Sequence, residues 1–532
     1  AEGEGHEEDP VHVDAERGND GNDGLRAESP WKSLERVNQA ALHPGDRVLF
    51  QRGQSWRGQL KPKSGRDGAP IVYGAYGEGP RPRLLGSASR SRPEDWQEVR
   101  PGIWATLPIR FEPIAVQAEL AASHASLHNE AGAAGTLRSD SRPGGRATLT
   151  VECQQAGTRG NHLQLILPGL HIEKGRDYIV TFRARSTQGF TPAGIAVMKS
   201  APPWTTYATP LRARPDIGTD WSDFVVPFRA IETATDARVT FYLGGVLPVG
   251  ATLEFEPGQL ATARCNQESP LTVDVGNIVF DDGTSTGVKK WKEADLLHDG
   301  DFQYEGRTGQ VFLHSAGSPA SSHRSIELAL TRHIIDESGC SHVSFESLDL
   351  RYGAAHGVGG SGVHHVTIRD CDIAFVGGGH QHAREDGRPV RYGNGIEFWS
   401  DAHDCLVEDC RIWEVYDAAL TNQGSGTNRQ ENITYRRNVI WNCEYSFEFW
   451  NRDATSRTRN IRFEYNTCVN AGCCWGHAQR PDPNGRHLMF FDNTADTEGV
   501  FVTQNIFAGA TDSLLRLHGH DWTAALTMDG NC

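Results

Sequence analysis

The chain has 532 residues, of which 38% are hydrophobic, and this length predicts several domains rather than one. Its formal net charge of −16 argues against a nucleic-acid-binding protein, because such proteins present a basic surface to the phosphate backbone. The sequence has no apolar run of the roughly 18 residues that a transmembrane helix needs, and its 11 cysteines, an odd number in so long a chain, do not predict a disulfide framework.

The first part of the chain predicts a disordered start followed by short strands. Residues 1–10 are acidic, and residues 11–109 alternate short apolar runs with turn residues. PGDRVLF at 44–50 and GAPIVYGAYG at 68–77 are examples of such a run and its turn. The pattern predicts all-β structure rather than long helices.

Residues 110–265 differ from their surroundings, since they are richer in Ala and Thr. Apolar and polar residues alternate in six segments, at 146–151, 163–167, 178–184, 224–228, 238–243 and 251–255. A period of two with turns between the segments predicts a β-sandwich. We therefore predict an inserted domain that either binds carbohydrate or only buttresses the rest, and we expect residues 266–532 to resume the fold of residues 11–109.

A repeat recurs in the second half of the chain. One copy per coil, with loops of varying length, is the signature of a solenoid. We predict that the small polar residues ending the copies stack as an inward ladder and bond backbone groups at the bend, with the cysteines as buried free thiols. We also expect this chain to lack its C-terminal cap, because it ends within a coil. The ladder residues are Cys371, Cys410, Asn438, Asn466, Asn505 and Asn531.

These segments resemble two known groups of proteins. Residues 10–90 and 270–532 resemble the right-handed parallel β-helix proteins of the pectate-lyase-like superfamily, and GRDYIVTFRARS and ATLEFEPGQLA within 110–265 resemble jelly-roll carbohydrate-binding modules. The resemblance implies an all-β protein, a right-handed parallel β-helix with an inserted jelly-roll β-sandwich. It also implies a secreted or periplasmic protein that acts on a polysaccharide, and we expect a monomer. It specifies the fold more closely than the reaction.

Two Glu-Phe-Trp segments predict a carboxylate pair. Aligning the coils on the ladder places Glu397 and Glu448 on one outer face, two coils apart. Two coils span about 9.6 Å, near the upper end of the roughly 6.5–9.5 Å window for the carboxyl groups of an inverting glycosidase. Asp417, one coil from each, is a third candidate. The alternative is that both glutamates are surface residues neutralised by arginines and that Asp417 only shapes a turn.

Other side chains are predicted to bind substrate around this pair. The Trp rings can stack on sugars, and a His- and Arg-rich cluster from two long loops can bind carboxylate or sulfate groups of an acidic glycan. The basic side chains could instead only neutralise the three carboxylates, and His380 with His382 weakly suggests a metal site. The predicted substrate-binding residues are Trp399, Asn422, Trp450, Arg452, Arg391, His477, Arg480 and His380.

Three functions remain open from the sequence. The first is a glycoside hydrolase in which Glu397 and Glu448 are the acid and base and Asp417 assists. The second is a polysaccharide lyase that uses His477, Arg480 or His380 as base and neutralises a uronate with Arg452 or Ca²⁺. The third is a non-catalytic glycan-binding protein. The hydrolase is favoured, and it requires no cofactor, no nucleic acid and no membrane insertion.

Overall fold

The computed structural model describes residues 10–109, 111–140, 147–208, 211, 215–265, 274–306, 308–519 and 521–532. The chain divides into two compact units, one of residues 1–107, 274–304 and 311–532 and the other of residues 108–273 and 305–310. The predicted insertion at 110–265 falls within the second unit. The predicted disorder of residues 1–10 lies outside the described residues, apart from Pro10, which begins a strand.

Three parallel sheets build the first unit, and from Ser341 to Leu517 each coil of the chain adds one strand to each sheet. Sheet A has ten strands: Pro10–Val13, Arg47–Gln51, Ile71–Tyr76, Ser341–Glu346, His364–Arg369, Ala402–Glu408, Arg429–Arg436, Arg457–Glu464, Asp496–Thr503 and Leu526–Asp529. Sheet B has eight: Ser55–Arg57, Arg83–Leu85, Asp349–Arg351, Asp372–Val376, Arg411–Val415, Val439–Trp441, Thr467–Ala471 and Ile506–Ala510. Sheet C has seven: Ile335–Asp336, Val358–Ser361, Ile396–Trp399, Ala418–Gly424, Tyr445–Asn451, Arg486–Phe490 and Ser513–Leu517. The predicted all-β, coil-by-coil architecture is confirmed.

The apolar side chains of all three sheets fill one continuous core, because alternate residues of each strand point inward. Every predicted repeat copy lies on a strand of sheet A, and the ladder follows it. Asn466 shows the pattern: its Oδ1 accepts from the backbone N–H of Asn438 at 3.0 Å, and its Nδ2 donates to the carbonyl of Tyr435 at 3.1 Å. Cys371 and Cys410 are buried free thiols, as predicted.

Smaller elements complete the first unit. They are the antiparallel strands Ser285–Thr286, Val275–Phe280, Ile326–Leu330 and Ser87–Ser89, the sheet of Val288–Lys289, Asp301–Glu305, Gln310–His314, Ile103–Thr106 and Trp96–Arg100, the hairpin of Gly379–Ala383 and Pro389–Tyr392, and the helices Leu34–Gln39 and Pro319–Ser322. Short helical turns occur at Pro93–Asp95, Asp281–Gly283, Glu293–Asp295 and His477–Gln479. Within the described ranges, no helix has the length and apolarity needed to cross a membrane.

The second unit is a β-sandwich with its own apolar core, and this part of the predicted fold class is confirmed. One antiparallel sheet consists of Ser126–Asn129, Leu163–Ile172, Ala234–Tyr242 and Gly194–Lys199. The other consists of Ala134–Asp140, Thr148–Gln155, Thr252–Cys265, Asp177–Ser186 and Ser222–Arg229, with Phe111–Glu119 paired to Thr252–Cys265. Two short helical turns, Ala122–His124 and Gly160–His162, connect its strands.

Candidate active site

Glu397 and Glu448 occupy equivalent positions of sheet C, two strands apart, with Thr421 between them. Their neighbours along the strands, such as Phe398 and Phe447, lie in the core, so the two carboxylates face away from it. Two strand spacings separate their backbones by about 9.6 Å. The hydroxyl of Thr421 is buried and has no hydrogen-bond partner among the described residues.

Asn422 does not lie on this outer face, so its predicted role in substrate binding is wrong. It pairs with Phe398 and Phe449 and is fully buried in the core. Its amide donates to Gln430 at 2.6 Å, and its carbonyl accepts from the Tyr435 hydroxyl at 3.2 Å. The sequence alignment was off by one residue here, because the ladder repeats every coil but the corner before sheet C varies in length.

Glu397 is nearly enclosed, with 7% of its surface exposed, and two side chains hold its carboxylate. The Asn394 side chain donates to one carboxylate oxygen at 2.6 Å, and His356 Nε2 lies 3.0 Å from the other. His356 Nδ1 accepts the backbone N–H of Asn394 at 2.9 Å, which places the ring proton on Nε2, facing Glu397. Burial alone would raise the pKa of Glu397, but His356, His333 and Asn394 outweigh it and hold the pKa below its usual value.

A glycine makes room for this arrangement. Gly359 pairs with Glu397 in the preceding strand of sheet C. A Cβ at Gly359 would lie 3.0 Å from the ring of His356 and 3.1 Å from that of His333, and these two rings stack at 4.6 Å. The glycine-rich run around Gly359 therefore lets two imidazoles pack beside the carboxylate.

Glu448 has the opposite environment. Trp450 Nε1 donates to its carboxylate at 3.1 Å. Burial raises the pKa of Glu448 to about 8, and the negative charges of Asp417 and Glu397 add to the effect. Glu448 is therefore protonated at neutral pH, whereas Glu397 is ionised.

The two tryptophans next to the glutamates meet each other. Trp399 and Trp450 pack edge to face with ring centroids 5.5 Å apart, and the exposed guanidinium of Arg452 lies 4.6 Å from the Trp450 ring. Half-buried aromatic faces of this kind can stack on sugar rings.

Asp417 immediately precedes the strand Ala418–Gly424, which lies between the strands of the two glutamates, and it is bound by an arginine. Arg480 donates to Asp417 at 2.7 Å and to the carbonyl of Tyr416 at 2.8 Å. Burial raises the pKa of Asp417, although Arg480 opposes this effect. Arg480 also lies 3.6 Å from Glu444, a fully buried carboxylate whose second oxygen lies 2.9 Å from His477 Nδ1.

Two predicted substrate ligands have structural contacts instead. Arg391 bonds the carbonyls of Gly378 and Gly276 and the side chain of Gln479, each at 2.8–2.9 Å, so its guanidinium is bound to the protein and the predicted contact with substrate is wrong. His380 packs against Trp291 at 5.3 Å in the hairpin of Gly379–Ala383.

The structure thus unites Glu397, Asp417, Glu448 and Arg480, but sequence reasoning missed His356, Asn394 and Glu444. His356 and Asn394 precede Val358–Ser361 and Ile396–Trp399 by two residues each, a shared position that could have been noticed. A pair of carboxyls whose pKa values are shifted in opposite directions, as in the buried Glu397 and the half-buried Glu448, is suited to acid–base catalysis. The predicted Ca²⁺ stays a prediction. Two carboxylates of this site, Asp417 and Glu444, are bound by Arg480.

Comparisons with known proteins give limited similarity. No family model matches the chain. A curated lacto-N-biosidase of Bifidobacterium longum subsp. longum is 33% identical over 92 residues, which are 16% of this chain and only 6% of the relative. A solved glycoside hydrolase structure is 9% identical with a TM-score of 0.36 over 98% of this chain and 96% of that one. The GH136 lacto-N-biosidase from Eubacterium ramulus is 11% identical with a TM-score of 0.30 over 98% and 67%.

Proposed function

We propose that the protein is a glycoside hydrolase in which Glu448 is the general acid and Glu397 the ionised partner. The observation that carries this proposal is the opposite pKa shift of two carboxyls on one outer face of sheet C, two strands apart. Catalysis by a carboxyl pair needs one group protonated and one ionised at the same pH. The name of the curated relative, a lacto-N-biosidase, supports the same reaction class.

In this mechanism Glu448 donates its proton to the glycosidic oxygen as the C–O bond breaks. Water attacks the anomeric carbon and gives a proton to Glu397, and the pair returns to its starting state by exchange with solvent. Thr421, between the two carboxyls, supplies a hydroxyl that can bond the sugar or the water. The negative charge of Asp417 raises the pKa of Glu448 and helps to keep it protonated, whereas the charge of Arg480 partly opposes this effect.

The substrate we propose is a glycan with neutral sugars at the cleavage site. Arg391 and Arg480, predicted to bind acidic groups, are both bonded to the protein, and Arg452 packs on Trp450. Lacto-N-biosides are the first substrates to test, because of the relative's name. We further propose that the protein is a secreted or periplasmic monomer and that its sandwich binds carbohydrate.

The lyase alternative has less support. It needs a base free to remove a proton, but Arg480 is paired with Asp417 and Glu444, and Glu444 binds Nδ1 of His477, so a lyase would have to use Nε2 of this ring. A β-elimination would produce an unsaturated sugar that absorbs in the ultraviolet, whereas hydrolysis produces only a new reducing end.

The test is release of reducing ends from an aryl lacto-N-bioside and from a panel of neutral and acidic glycans, with ultraviolet absorbance read in parallel. We expect wild-type turnover without absorbance change, and losses of about 10²–10⁴-fold in kcat for Glu448→Gln and Glu397→Gln. Glu498→Gln, at an exposed carboxylate of sheet A, is the matched control and should retain full activity. Full activity in Glu448→Gln, or an unsaturated product, would refute the proposal.

A further inference from the structure

The outer face of sheet A carries a cluster of histidines separate from the carboxylates of sheet C. Three consecutive strands contribute to it, and their register places Ser341, His364 and His403 at one position. The cluster is half-buried to exposed. Its members are His342, His364, His365, His403 and Asp404.

The ring nitrogens of this cluster converge. In two groups of three side chains, His342 with His364 and His365, and His365 with His403 and Asp404, the potential ligand atoms lie within 4.8 Å of one another. His364 Nδ1 and His365 Nδ1 are 2.9 Å apart, and the His364 and His403 rings stack at 4.8 Å. His403 Nδ1 lies 2.7 Å from Asp404, which leaves Nε2 of His403 available to a ligand.

Backbone conformation explains only part of the cluster. His342, His365 and Asp404 have φ of 52–53°, as do Asn432 and Asn460 (52° and 54°) in the two following strands. His, Asp and Asn tolerate this left-handed conformation better than other residues, and the two asparagines continue the row with side-chain bonds of 3.1 and 3.0 Å. The left-handed backbone conformation therefore explains His342, His365 and Asp404 without any ligand.

The left-handed backbone conformation does not explain the other two histidines, His364 and His403. His364 and His403 lie at ordinary strand positions, where the following strands have the half-buried charged residues Glu431 and Arg459. The two histidine rings stack nearly parallel with centroids 4.8 Å apart, and a ring nitrogen of His364 lies within 4.8 Å of one from His342 and one from His365.

We propose that this cluster binds one divalent transition-metal ion of the zinc class through His342, His364 and His365. Imidazole nitrogen suits Zn²⁺ and its neighbours in the first transition row, whereas Ca²⁺ and Mg²⁺ prefer oxygen ligands. Zinc–nitrogen bonds of about 2.1 Å bring tetrahedral ligands to about 3.4 Å from one another. The three ligands come from two neighbouring strands of sheet A, so the metal ties these two coils together, and Asp404 holds His403 beside them.

The test measures zinc binding to the full chain by calorimetry after treatment with a chelator, with thermal unfolding followed with and without ZnCl₂. We expect one Zn²⁺ per chain and an increase in Tm on its addition. His365→Asn should weaken binding at least about tenfold and abolish the increase in Tm. The metal-free variant should melt like the metal-free wild type, since Asn occupies the equivalent position in two following strands.

Two further variants keep the test decisive. His364→Ser introduces the residue that the preceding strand has at the same position, so it should fold and should also lose zinc. His298→Asn, at a histidine whose side chain is 82% exposed, should bind zinc like the wild type. Zinc binding that is absent in the wild type, or unchanged in His365→Asn and His364→Ser, would overturn the proposal without bearing on the hydrolase.

Discussion

Glu397 and Glu448 have the same side chain at the same strand position, yet their surroundings give them opposite charge states. His356 and Asn394 donate to Glu397, whereas Glu448 has a single Trp donor and the charge of Asp417 nearby. Sequence could identify the two glutamates from the repeated Glu-Phe-Trp. It could not assign their roles, because the donors to Glu397 come from two corners, one before the preceding strand of sheet C and one before its own strand.

Replacing His356 should shift the acid limb of the pH profile. His356→Phe removes the donor to Glu397, so the pKa of Glu397 should rise and the acid limb of kcat should move up by about one to two pH units. His356→Gln, which can still donate an N–H, should move it less. If the acid limb of kcat does not move in His356→Phe, the group whose titration causes that limb is not Glu397.

Glu337 predicts a pH-dependent stability unrelated to catalysis. This carboxyl is fully buried, has no hydrogen-bond partner among the described residues, and burial raises its pKa to about 8. Between its ordinary value of 4.5 and about 8, the folded chain keeps a proton that the unfolded chain loses, so stability falls as pH rises.

Glu337→Gln should therefore become more stable relative to the wild type as pH rises through this window, by up to about 1.4 kcal/mol per pH unit. Urea unfolding of both proteins at acid and mildly alkaline pH measures the difference. A stability difference that does not change with pH would contradict the buried, protonated carboxyl.

At the scale of single elements, the repeat predicted sheet A and its ladder, but the same repeat misplaced sheet C by one residue. Between Val415 and Asp417 the chain has an additional residue, Tyr416, relative to the corner that precedes Tyr445 in the next coil. Tyr416 packs against Arg391, Arg480 and Trp475. Contacts with distant loops thus set the length of this corner, and ladder spacing cannot reveal them.

We expect the inward asparagine ladder to contribute more to the free energy of unfolding than the asparagines on the outer face, Asn432 and Asn460. Asn466→Ala removes the acceptor for the buried N–H of Asn438 and should cost about 1–3 kcal/mol. Asn460→Gly, on the outer face of the same coil, suits the φ of 54° at this position and removes an exposed bond, so it should cost a few tenths. Urea unfolding distinguishes them, and equal losses would show that the ladder contributes no special stability.

At the scale of the whole molecule, the all-β class and the sandwich at 110–265 could be predicted, because alternation and turns recur over many short segments. The local composition change near residue 110 marked the insertion. The candidate site could be predicted only in part, since it assembles residues from 356 to 480 on successive coils and in one long loop. A solenoid brings such residues together by register, so an error of one residue exchanges an inward side chain for an outward one, as happened at Asn422.

The most direct test of the acid–base pair is the pH dependence of kcat in the wild type and in Glu448→Gln, on the best substrate that the glycan panel identifies. The wild type should lose activity as pH rises through about 8, when Glu448 loses its proton. The residual activity of Glu448→Gln should lack this alkaline limb. An alkaline limb that persists unchanged in Glu448→Gln would contradict the assignment of Glu448 as the acid.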